Sequence, residues 1–188
     1  MNKRFFSRAI LALIVLAAAS LLMIDIVGQS SPLPGVQIGE ARGYTPTSSG
    51  REAPAGQKEY YSPHYGFSLL YPAEYLVDEY TEQGGAMTVT FEYDDGKAAS
   101  GFQIFVAPFA GEQITDERFR QDVPSGVREG LRDITVDGAT GASFYSEDAM
   151  LGATAEVWFI GDGYLYEIST LRELAPWLSD VLATWTFM

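Results

Sequence analysis

The sequence predicts an α+β domain: an antiparallel β-sheet of about eight strands in hairpins, helices packed on its faces, preceded by an N-terminal transmembrane helix and a linker. Three observations carry that expectation. Asp137-Gly138 and Asp162-Gly163 each lie between runs of alternating side chains, and Asp-Gly readily supplies the positive φ that a two-residue hairpin turn needs. After Arg172 the apolar period changes, and Leu174, Trp177, Leu178, Val181, Leu182 and Trp185 recur at intervals of three and four. That spacing gathers them on one stripe of a closing helix, with Pro176 in its first turn. At the other end, Ala9 to Ile24 is an uncharged run of 16 residues, apolar but for Ser20, behind Lys3, Arg4 and Arg8.

Taken in order, residues 1–28 read as a signal anchor. The run is somewhat short of the ~20 residues that span a bilayer, but continuing through Asp25 to Val27 nearly supplies them. A cleaved signal peptide is the competing reading, since Ala17, Ala18 and Ala19 offer small residues. Cleavage there would leave Leu21 to Ile24 exposed, which favours the uncleaved anchor. The basic residues precede the apolar run, so the N-terminus is expected in the cytoplasm and the rest outside. Residues 29–58, with Pro32, Pro34, Pro46 and Pro54 and no apolar period, read as a flexible linker.

Residues 59–188 read as the extracytoplasmic domain. Phe67, Leu69 and Tyr71 alternate with Ser68 and Leu70 up to Pro72, and Leu76 to Thr81 is a second strand. Met87, Val89, Phe91 and Tyr93 face one way, and Thr88, Thr90 and Glu92 the other. Asp94-Asp95-Gly96 then turns the chain into Phe102 to Val106, apolar on both faces and so a strand covered on each side. Thr115 caps a helix with Asp116 and Glu117 in its first turn and Phe119 and Val123 on one face. Val127 and Leu131 extend the spacing of four, predicting a further short helical turn before the hairpins.

Composition excludes several functions. No cysteine is present, so disulfides, thiolate zinc sites and a cysteine nucleophile are ruled out. Net charge is −13; the first 28 residues carry +2, which leaves −15 for the remainder. That surface repels phosphates, so nucleic acid is not an expected partner.

The order of these elements resembles the Mog1/PsbP-like fold family. Tyr65-Gly66-Phe67-Ser68-Leu69-Leu70-Tyr71-Pro72 is similar to the family's opening strand. The Val136-Asp137-Gly138 turn and the close on Trp185-Thr186-Phe187 are similar too. The resemblance covers about Tyr60 to Met188. It implies binding or assembly work and no shared chemistry, and no residue here matches a partner-binding motif of the family.

Catalytic signals are sparse. His64 is the only histidine, and no Gly-x-Ser-x-Gly elbow, Walker sequence or dinucleotide fingerprint accompanies it. Asp94-Asp95 and Glu147-Asp148 are the best carboxylate clusters, without the alternation of a calcium loop. Six of the eleven tyrosines fall between Tyr60 and Tyr80. Tyr60, Tyr61, His64 and Tyr65 are therefore the candidate partner-binding residues, beside an acidic surface to which Glu92, Glu156 and Glu167 would contribute.

The expected function is a membrane-anchored extracytoplasmic binding or assembly module without catalytic activity, holding the membrane through its N-terminal helix and meeting a cationic protein partner. No cofactor is expected, calcium being the one alternative. A carboxylate-based or calcium-dependent extracytoplasmic hydrolase is the competing function.

Overall fold

The computed structural model describes residues 41–43, 47–94 and 99–188. The anchor expected over 1–28, most of the linker expected over 29–58 and the Asp95-Gly96 part of the expected turn lie outside the described residues. Among the described residues eleven strands and two α-helices follow one another: β1 (Ala41–Gly43), β2 (Gln57–Ser62), β3 (Phe67–Pro72), β4 (Leu76–Thr81), β5 (Met87–Asp94), β6 (Ala99–Pro108), α1 (Asp116–Asp122), β7 (Glu129–Val136), β8 (Ala139–Asp148), β9 (Gly152–Gly161), β10 (Tyr164–Leu171), α2 (Ala175–Leu182) and β11 (Thr186–Phe187).

They form two antiparallel sheets where the sequence suggested one. Eight strands run in the order β1-β4-β5-β6-β10-β9-β8-β7, and β11-β3-β2 make a second, three-stranded sheet. From β6 at the centre the chain crosses α1 to the far edge, and two hairpins return it to β6 through β10. Both hairpin turns are as the sequence predicts, with positive φ at Asp137 and Gly138 and at Asp162 and Gly163.

The predicted alternation sorts side chains correctly. β6 is buried from Gly101 to Ala107, because the sheet is covered on both faces there. On its inner face Val89, Phe91, Ile104, Phe159, Tyr166 and Ile168 meet Tyr60, Phe67 and Leu69 of the small sheet and Leu178 and Val181 of α2. On its outer face Phe144 and Trp158 meet Phe119 and Val123, and Thr115 caps α1 by accepting the Arg118 N–H at 3.2 Å.

Four expectations are corrected. Ala41–Gly43, inside the expected linker, is an edge strand paired with β4, and Ser48 and Ser49 hydrogen-bond the Glu59 carboxylate. Val127 begins no helical turn, since Gly126 adopts φ 67° and strand starts at Glu129. The closing helix ends at Leu182, ahead of Trp185. Thr184 ends it: its hydroxyl accepts the Leu70 N–H at 2.8 Å and donates to the Val181 carbonyl at 2.6 Å. That diverts Thr186 and Phe187 into pairing with Ser68 and Phe67. The first predicted strand, β3, therefore belongs to the small sheet.

Candidate functional site

Strands lie about 4.8 Å apart, so eight of them span roughly 34 Å. The inner cover is three strands and an eight-residue helix only about 12 Å long. Cover runs out over β7 and β8, and a groove of about 660 Å³ opens there against α2. The register shows how its floor is built. A single row of paired residues crosses six strands as Val89, Ile104, Ile168, Val157, Ser143 and Arg132. It is apolar under the cover and turns polar where the cover stops. The neighbouring row ends Phe159, Gly141, Ile134. Leu178, Ser179 and Leu182 form the α2 wall, and Trp185 lines the groove as well.

Two polar groups in this groove lack partners. Arg118, Arg120, Arg128 and Arg172 each pair with a carboxylate, whereas Arg132 is exposed and makes no ion pair among the described residues. Trp185 is 4% exposed, and its indole Nε1 is buried with no hydrogen-bond partner. An unmade bond of that kind costs about 1–3 kcal/mol. The ring itself is held firmly, stacked on Phe67 at 4.2 Å and edge-on to Phe159. At one end of the groove Arg172 sits 4.3 Å over the Tyr145 ring. At the hairpin-turn end Asp137 accepts the Phe187 N–H at 2.7 Å.

The opposite face holds a cluster of carboxyls whose titration burial raises. Arg118 on α1 reaches Glu167 on β10 at 3.1 Å and is also paired with Asp122. Burial pushes both carboxyls up and Arg118 pulls both down; Asp122 raises Glu167 further, while the hydrogen bond with Glu167 lowers Asp122. One cation facing two buried carboxylates leaves a net negative charge, which a shared proton relieves. Nearby, burial pushes Glu156 up to about 7, offset in part by the Thr154 hydroxyl that donates to it at 2.8 Å. The cavity beside these groups holds only about 80 Å³, well below the ~300–1,000 Å³ of ordinary ligand pockets. Geometry makes this cluster a fastening for α1.

The residues singled out from sequence scatter. Tyr60 is fully buried and donates to Glu79 at 2.7 Å; Tyr65 is buried and donates to the Gly85 carbonyl at 3.0 Å. Burial removes both from any contact surface, a correction that follows from their place under the small sheet. Tyr61 is half-buried, and His64 is exposed in the β2–β3 turn with its ring edge-on to Tyr65. Glu167 is likewise buried and paired, and Glu156 half-buried, so neither builds an open acidic face. Asp148 spends its carboxylate on the N–H groups of Met150 and Leu151. No group of three or more metal-ligating side chains occurs among the described residues.

These layers define a PsbP-like α+β fold. The chain is similar to cyanobacterial PsbP (CyanoP) from Synechocystis, with 13% identity and a TM-score of 0.50 over 76% of this chain and 98% of that one. A crystal structure from Bacteroides thetaiotaomicron aligns at 15% identity and a TM-score of 0.44, over 71% of this chain and 49% of that one. No protein-family model and no curated protein matches the chain. The stretches that carried the resemblance meet in space: Phe67 of the Gly-Phe-Ser run stacks on Trp185 and pairs with Phe187.

Proposed function

We propose that this protein is a non-catalytic extracytoplasmic binding module, tethered to the membrane by its N-terminal apolar run, and that it captures its ligand in the groove between α2 and the β7–β8–β9 hairpins. One observation carries the choice of site: the groove combines ligand-sized volume, a floor that passes from apolar Val157 and Ile134 to polar Ser143 and Arg132, and two donors without a protein partner, the composition of a preformed binding site. The PsbP-like fold supports a binding or assembly role, and the basic flank of the apolar run supports the outside location of the domain. An acidic chain also suits a cationic partner brought to the rim of the same domain.

The test is photo-crosslinking in native membranes. A photoreactive residue at exposed Ser179, in the groove, is expected to give a discrete adduct, and one at exposed Glu117, on α1 over the outer face, none. Adducts at Glu117 alone would reject the groove. Carbonate washing checks the tether separately: the full chain is expected to stay with the membrane, and a soluble mature protein beginning near Ser20 would show a cleaved signal instead.

A further inference from the structure

We infer that the ligand of this groove is a small amphiphilic carboxylate, an aliphatic acid whose chain lies on Ile134, Val157 and Leu182 and whose head meets Arg132. The inference rests on the groove being the binding site, and adds the chemistry of what binds.

Charge supplies the first argument. The chain carries −13 overall, and among the described side chains Arg118, Arg120, Arg128 and Arg172 pair with carboxylates while Arg51 donates to the Thr184 carbonyl. Arg132 has no such partner, although it ends an apolar row where carboxylates are plentiful in the surrounding sequence. A guanidinium beside low-dielectric surface favours an anion over water more strongly than one on an open face. The second argument is the Trp185 ring. It lines the groove and packs on Phe159, whose row ends two strands away at Ile134, so it walls the apolar end while the Arg132 guanidinium stands at the polar end. An ionised carboxylate accepts two charge-assisted bonds from a guanidinium, which a neutral alcohol does not match.

A small ligand fits better than an added peptide strand. β7 is the edge of the large sheet, but its pairing breaks between Glu129 and Arg132, and Gly130 there has φ 64°. Such a bulge twists an edge away from strand addition. Asp137 marks the other end of the groove, five residues along β7 from Arg132, or roughly 17 Å at strand rise. The head therefore belongs at the Arg132 end, with the chain running toward the hairpin turn.

The full-length protein, reconstituted in phosphatidylcholine nanodiscs and labelled with 15N only at its three tryptophan indoles, provides the test. Octanoate is the probe and octan-1-ol its uncharged counterpart. Site-resolved signals are insensitive to probe dissolved in the disc. Octanoate is expected to move the Trp185 resonance at saturable concentration and leave Trp158 and Trp177 in place. Octan-1-ol is expected to bind at least tenfold more weakly, and Arg132→Gln, an exposed change, to weaken octanoate at least tenfold. Equal binding of the two probes, unaffected by Arg132→Gln, would overturn the carboxylate while leaving the groove as a binding site. No Trp185 response to either probe, with the Ser179 crosslink retained, overturns the aliphatic acid alone. Loss of both rejects the groove with it. Tighter binding of an acetylated Val-Leu-Leu peptide than of octanoate would reassign the groove to a partner's chain terminus and overturn the inference.

Discussion

On the inner face of the large sheet, three strands and a short helix lie over a row of apolar side chains and leave its far end open. On the outer face, the seven-residue α1 is fastened by one arginine shared between two carboxylates, over a cavity of about 80 Å³. Both faces contain perturbed polar groups, but of opposite kinds. The outer ionised groups pair with one another, so their raised pKa values record desolvation within a closed contact, and the unpartnered Gln103 oxygen and Trp158 indole beside them face no space for a ligand. The inner groups, Arg132 and the Trp185 indole, are left without partners beside space that a molecule can occupy. The difference teaches that unspent donors next to volume point to binding, whereas shifted titration without volume points to fastening.

The comparison can be broken most forcefully at the aromatic stack. Trp185→Ala removes a ring packed on Phe67, Phe159 and Tyr166, and is expected to cost about 3–5 kcal/mol in denaturant unfolding. Trp177→Ala, at a half-buried site, is expected to cost roughly half of that. Equal costs would mean that the groove wall is no part of the core. Next comes the outer fastening. Arg118→Ala leaves Asp122 and Glu167 without their cation and is expected to cost about 2–4 kcal/mol at pH 8. The loss should shrink as pH falls and the carboxyls take up protons.

A smaller effect sharpens the same face. The folded pKa of Glu156, about 7, stands above its ordinary 4.5. The native state therefore binds the proton more tightly, and stability falls as pH rises from about 4.5 through about 7. Glu156→Gln should raise stability on the order of 1 kcal/mol at pH 8 and change it little at pH 4.5. A pH-independent difference between the two proteins would place that carboxyl in open solvent. Smallest of all, Ser179→Trp fills the exposed groove and is expected to alter stability by no more than about 0.5 kcal/mol.

Much of the fold was legible because local chemistry dictates it. Asp-Gly sets both hairpins, alternation sorts β5 and β10, and Thr115 caps α1 without help from the rest of the chain. The misses are tertiary. β2 and β11 are strands because β3 offers them an edge, and β1 forms against β4. The end of α2 is set by Thr184, whose hydroxyl reaches a β3 amide 114 positions away. No periodicity encodes that contact. The candidate site was less legible still. Tyrosine density near Tyr60 drew attention to side chains that the small sheet buries. The groove depends instead on how far one layer extends past another, a quantity with no sequence motif. One signal was available in retrospect: Arg132 and Ser143 sit at inward positions of strands whose other inward residues are mostly apolar or glycine.

The central claim is that binding belongs to the inner groove and fastening to the outer cluster, and ligand capture per folded molecule tests it most directly. Ser179→Trp and Arg118→Ala would be compared with the parent in native membranes, using a photoreactive residue at Ser143 and normalising adduct to folded protein. The account predicts that Ser179→Trp loses the adduct at unchanged melting temperature, and that Arg118→Ala keeps it at a lowered one. Capture retained by Ser179→Trp and lost by folded Arg118→Ala would contradict it.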